Sequence, residues 1–126
     1  MSEISRVRII FSIENCGEAI GELYRILAPR TYAAILDILP HTEKASVYKE
    51  AQVSIRIPIS VGLEKPTKEV SEGDIAYWPL GKGLCVYTRS IKPYSPVNKV
   101  GKILEGLDYF KDVKTGRTSI TIKRGE

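Results

Sequence analysis

Histidine occurs once in this chain, at His41, and cysteine twice, at Cys16 and Cys85. So few ligands and bases cannot assemble a zinc site or a Cys–His nucleophile pair, so no metal and no cofactor are expected. The two cysteines share no ligand spacing and adjoin strand-like runs, so they read as small buried hydrophobes rather than a disulfide. That usage fits a reducing cytoplasm. Long apolar runs are missing too: none approaches the roughly 18–20 residues that cross a bilayer. The opening Met1-Ser2-Glu3-Ile4-Ser5-Arg6 has no apolar signal segment, so export is not expected. Acids such as Glu50 and Asp74 stand without a companion base, which disfavours a hydrolase and leaves no residue with a catalytic assignment. His41 follows a helix-stopping proline and reads as exposed.

What is present describes one folded unit over residues 1–126, with 43% hydrophobic and 27% charged residues. Two separate cores would each be too small. The net charge of +4 falls largely late, on Lys99, Lys102, Lys111, Lys114, Arg117, Lys123 and Arg124. Glu105, Asp108 and Asp112 interrupt that series and no aromatic cluster accompanies it, so it reads as a solvated mixed-charge face. Nucleic acid is not an expected partner.

The most informative stretch is Gly73–Arg89. It holds the only tryptophan, Trp78, two of the seven tyrosines, Tyr77 and Tyr87, and the turn Gly81-Lys82-Gly83 between two β-rich runs. It predicts a hairpin, with Trp78 either a large core or edge packer or part of a ligand-contacting rim. Ahead of it, Arg6–Ile13 and Glu18–Tyr24 predict an opening hairpin broken at Asn15-Cys16-Gly17. Pro29 and Pro40 bracket a helix whose Tyr32, Ile35, Leu36 and Leu39 share one face. His41–Lys49 reads as a polar connection. Gln52–Ser60 alternates, with Val53, Ile55, Ile57 and Ile59 on one side and Ser54 and Arg56 on the other. Val61–Glu72 reads as a loop with at most one short strand, and Ile91–Asn98 as an irregular connection. Lys99–Leu104 predicts a strand, Leu107–Val113 two turns of helix, and Thr118–Arg124 a closing strand. Seven or eight short strands with two helices predict a mainly β fold, an antiparallel barrel closed on itself.

Several runs resemble the cyclophilin fold. Ala28-Pro29-Arg30-Thr31 is similar to the Pro-Lys-Thr opening of the cyclophilin helix. Tyr48-Lys49-Glu50-Ala51-Gln52-Val53-Ser54-Ile55-Arg56-Ile57-Pro58 resembles the stretch running from Tyr-Lys-Gly-Ser to Phe-His-Arg-Ile-Ile-Pro. Gly101-Lys102-Ile103-Leu104-Glu105-Gly106-Leu107 is similar to Gly-Lys-Val-x-Glu-Gly-Met, and Lys114–Ile122 to the closing Gly-Lys-Thr to Ile-Thr-Ile. Closer still is the group of short prokaryotic cyclophilin-like proteins of unassigned function, on Gly73–Pro79 and Ser95–Ile103. That resemblance implies a closed eight-stranded cyclophilin-like β-barrel capped by two helices, and no particular activity.

The departures bear on function. Cyclophilin isomerases engage the proline amide with an arginine; an ungapped match puts Ile55 there, and a one-residue slip puts Arg56. The Phe-Met-x-Gln-Gly-Gly segment is replaced by Ile59-Ser60-Val61-Gly62, and the Ala-Asn-Ala region by Trp78-Pro79-Leu80. The long glycine- and asparagine-rich loop shrinks to Gly81-Lys82-Gly83, and Ser95–Asn98 occupies the place of the late Trp and His. The leading expectation is a non-catalytic module binding a small acidic metabolite or peptide through Arg56, Tyr77, Trp78 and Asn98, with Tyr48 and Lys82. Arg56 would supply a charged fork, Tyr77 and Trp78 stacking surface, and Asn98 paired amide groups. A peptidyl-prolyl isomerase with a remodelled site is the alternative. Homo-oligomer formation or protein interaction through Tyr94, Tyr109 and the Trp78 rim is the third reading.

Overall fold

Eight strands close into a barrel in the computed structural model, which describes residues 6–125. The Met1–Ser5 part of the opening segment read above for export lies outside the described residues. Strands β1 (Arg6–Ile13) and β2 (Gly17–Tyr24) form the opening hairpin, and helix α1 (Pro29–Ile38) follows. Then come β3 (His41–Tyr48), β4 (Gln52–Arg56), β5 (Asp74–Trp78) and β6 (Gly83–Tyr87). Strand β7 (Asn98–Glu105), a 3₁₀ helix (Leu107–Asp112) and β8 (Ser119–Arg124) complete the chain. The order around the barrel is β1-β2-β7-β5-β6-β4-β3-β8, every pair antiparallel, with β8 pairing back to β1. Closure satisfies the backbone groups that an open sheet leaves bare at its edges.

Period-two alternation decides which side chains fill the interior. Ile9, Phe11 and Ile13 of β1, Val53 and Ile55 of β4, Ile75 and Tyr77 of β5, and Ile120 and Ile122 of β8 are buried in one core. Ile57 and Ile59 extend the β4 row beyond the end of the strand, as the alternation predicts.

Two caps close opposite ends of the cylinder. Ala28 gives α1 no side-chain cap, and Glu64 from a distant loop takes over. Its carboxylate accepts hydrogen bonds from Arg30 N at 3.0 Å, Thr31 N at 3.0 Å and Thr31 Oγ1 at 2.9 Å. Burial opposes ionisation of Glu64, but these three bonds and the Arg30 charge outweigh it and hold the carboxyl below its ordinary value. At the other end the 3₁₀ helix starts from Gly106, whose φ of 84° suits a residue without a side chain. Its Phe110 meets Phe11 edge-on, with ring centroids 5.4 Å apart.

The segment expected as a polar connection, His41–Lys49, is instead strand β3 up to Tyr48. Its polar, mostly exposed residues hide any alternation, yet it pairs with β4 on one side and β8 on the other. Within Val61–Glu72 only single-residue bridges form, Thr67 with Val97 and Val70 with Ile91. Those bridges hold the two long connections over the outer surface of β5 and β6. There Val70, Ala76, Cys85, Tyr87 and Val97 make a second apolar cluster outside the barrel.

Candidate functional site

Pairing lines up the outward side chains of β3, β4, β6 and β5 in rows, because residues directly opposite each other share a face. In one row Ser46 pairs with Ser54, and Ser54 with Cys85. In the next, Arg56 pairs with Gly83, and Gly83 with Trp78. Arg56 and Trp78 therefore stand on the same outer surface with a glycine between them. A Cβ at Gly83 would collide with Ser54 Oγ, and one at Gly81 with the Trp78 ring. Gly81 thus lets the turn pack its backbone against the indole, and Gly83 lets β6 pass beside Ser54.

The result is a groove of about 600 Å³. Small residues, Ser46, Ser54 and Gly81, alternate along it with the larger Tyr48, Arg56, Trp78 and Tyr94. The indole is fixed by a hydrogen bond from Trp78 Nε1 to Ser95 Oγ at 2.6 Å, which leaves its ring rather than its N–H to meet a ligand. The Lys49 ammonium sits 5.5 Å from the centre of the Tyr48 ring. Glu43, Lys44, Val47 and Gln52 complete the lining, and Lys44 Nζ reaches Ser119 Oγ at 3.5 Å. Arg56 is exposed, and among the described residues its guanidinium enters no ion pair and no hydrogen bond, while its backbone carbonyl lies 3.0 Å from His41 Nε2.

Three of the six residues singled out from the sequence, Tyr48, Arg56 and Trp78, come together in this groove. The side of β4 on which Arg56 lies is the outer one. Lys82 is exposed on the turn next to Gly81, its carbonyl accepting a hydrogen bond from Ile57 N at 3.0 Å, and it is not part of the lining. Tyr77 and Asn98 are not brought to the groove. Tyr77 is fully buried inside the barrel, with its hydroxyl donating to Ile59 O at 3.2 Å. Adjacent strand residues face opposite sides, so Tyr77 and Trp78 cannot share one surface. Asn98 is fully buried beside α1: its amide donates to Thr31 Oγ1 at 3.2 Å and Gly62 O at 2.9 Å, and its carbonyl accepts from Glu64 N at 2.8 Å. It belongs to the framework that holds the helix cap.

Sequence reasoning left Ser46, Lys44 and Glu43 out because β3 was read as a connection. Gln52 and Ser54 were within reach, since alternation puts them on the face of Arg56. Tyr94, grouped in the sequence with Tyr109 as interaction surface, lines the groove, whereas Tyr109 lies against Gly17 and Gly106.

Other chemistry is limited by burial. The Cys85 thiol is pushed up to about 12 by burial, against the opposing influence of Ser54 and Tyr87, so it stays protonated near neutral pH. Among the described residues no three His, Cys, Asp or Glu side chains gather as metal ligands would. Three of the seven late basic residues form ion pairs among the described residues, Lys99 with Asp74 at 3.3 Å, Lys111 with Asp108 at 3.1 Å and Lys123 with Glu18 at 3.6 Å.

A closed eight-stranded antiparallel barrel with helical caps and a groove on its outer surface defines the cyclophilin-like class of domain. Residues 5–123 match the family described as Cyclophilin-like, and the chain belongs to it. The solution structure of the hypothetical protein AF2241 from Archaeoglobus fulgidus has a TM-score of 0.82 and 29% identity, covering 99% of this chain and 100% of that one. The structure of McbB in complex with tryptophan has a TM-score of 0.75 at 15% identity, covering 94% of this chain and 45% of that one, a likeness of fold alone. No curated protein matches the chain.

Proposed function

We propose that this protein is a non-catalytic binding module whose outer groove receives a small acidic molecule or the carboxylate end of a peptide. The observation that carries this reading is the unengaged Arg56 guanidinium, one glycine away from the fixed indole of Trp78. A guanidinium presents a planar fork that suits a carboxylate, and an indole offers a face for a flat or apolar body. Ser46, Ser54 and Gln52 add hydroxyl and amide groups along the same wall. Both cysteines are free thiols, which suits a reducing compartment, and we place the protein in the cytoplasm.

A thermal-shift screen of small dicarboxylates and short peptides with free C-termini tests this reading. Binding is expected to raise the melting temperature by a few degrees at saturating ligand. Trp78→Ala should abolish the shift; if the shift survives that substitution, the ligand sits elsewhere.

One observation favours a second reading, peptidyl-prolyl isomerisation: Arg56 does face the groove, where a proline amide would need it. Against it stands the loss of the segments that resemble the rest of an isomerase pocket. Exchange NMR on an Ala-Pro peptide separates the two. Acceleration that is lost in Arg56→Ala would replace the binding-module reading with the enzymatic one.

A further inference from the structure

At the end of the barrel closed by the 3₁₀ helix, a cavity of about 520 Å³ opens between that helix, the β3–β4 turn and the end of β6. It shares only Val47 with the groove. Its floor is apolar: Val47 and Val53, partners across the β3–β4 pair, meet Phe110 and Val113 there. Val53, Phe110 and Val113 are buried and Val47 is half-buried, so Val47 is the apolar lining residue most open to solvent.

The rim carries charge of mostly one sign. Arg89, Lys111 and Lys114 surround the opening, against one acid, Glu50, and all four are exposed. Existing contacts use little of the positive charge. Lys111 pairs with Asp108, a carboxylate that is itself 88% exposed. Arg89 gives one N–H, from Nη2, to Lys49 O at 2.8 Å, which pins the guanidinium over the hairpin and leaves its other donors free. Among the described residues Lys114 enters no ion pair.

An apolar floor under a cationic rim discriminates between ligand classes. A polyanion would find nothing to replace its water at the floor and would meet Glu50 at the edge. A neutral hydrocarbon would leave the cations unused. We infer that this cavity is a second binding site, for a monoanionic carboxylate carrying a short hydrocarbon body. The chain lies on Val47, Val53 and Phe110, and the carboxylate meets Arg89 and Lys114.

Sodium octanoate is the probe, with 1-octanol as its neutral counterpart, titrated into ¹⁵N-labelled full-length protein. Octanoate should give saturable amide shifts at Val47, Glu50, Thr88, Arg89 and Val113, while the Trp78 indole N–H in the groove stays unmoved. Octanol should bind at least several-fold more weakly. Lys111→Gln with Lys114→Gln, both at exposed positions, should weaken octanoate roughly three- to tenfold while the spectrum reports an intact fold. The inference is overturned by absence of saturable shifts up to about 10 mM octanoate, a concentration that detects millimolar sites. It is equally overturned by octanol binding as well as octanoate, or by shifts that centre on Trp78 and Tyr94. That last result would assign the anion to the groove and leave the proposed function standing.

Discussion

At the scale of single residues, the most telling cases are polar groups whose partners lie far away in the chain. Glu64 caps α1 from more than thirty residues on, at 33 and 34 positions of separation, and Asn98 binds Thr31 from 67 away. Because the Glu64 carboxyl lies below its ordinary value of 4.5 in the folded protein, it stabilises the fold above the unfolded-state value. That contribution fades as pH falls through the folded-state value. Glu64→Gln is therefore expected to be about 1 kcal/mol less stable than the wild type at pH 7. In chemical denaturation the gap should close in acid, where the wild-type carboxyl is protonated too; a pH-independent gap would mean packing, not charge. Arg56 and Trp78 were legible from their residue types and the alternation of β4. Asn98 was not, because a side chain that looks like an exposed amide in a proline-rich connection is claimed by groups on a helix and a loop. Tyr77 was legible in principle: strand geometry forbids it from sharing a face with its neighbour Trp78.

At the scale of elements, strand β3 shows where pattern reading stops. Its first residues, His41-Thr42-Glu43-Lys44, are polar and mostly exposed, so nothing in their order marks a strand. Pairing to β4 and β8 forms it, and that information sits in other segments. The β3–β4 turn is a further case. In the three-residue connection between Tyr48 and Gln52, Lys49 and Glu50 both have φ of 53° and Ala51 N closes the turn onto Tyr48 O at 3.0 Å, although neither is the glycine or asparagine that adopts this region readily. Thr88 N to Ala51 O at 2.7 Å and Arg89 to Lys49 O at 2.8 Å hold the turn down. Glu50→Gly is expected to stabilise the protein, by up to about 1 kcal/mol, by relieving the backbone at that position. Equilibrium urea unfolding checks it, and a lower midpoint would show that the turn is not strained in solution.

For the whole molecule, the barrel was readable because each strand with one buried face declares itself by period two, and the count of such strands leaves closure as the economical arrangement. The position of the groove was not readable from any one segment. It arises where two neighbouring rows across β3, β4, β6 and β5 present Ser46, Ser54 and Gly83 outward while Arg56, Trp78 and Tyr94 rise around them. The family's fold supplies the cylinder, and a fold by itself does not carry an activity with it.

Trp78 is the only tryptophan in the chain and lines the groove, so its emission reports on that surface and no other. Titrating small dicarboxylates and C-terminally free peptides while following this signal tests the central claim most directly. A saturable change with at least one of them, weakened at least tenfold in Arg56→Ala, is the expected result. Unchanged emission across the whole panel, or a change that Arg56→Ala leaves intact, would contradict it.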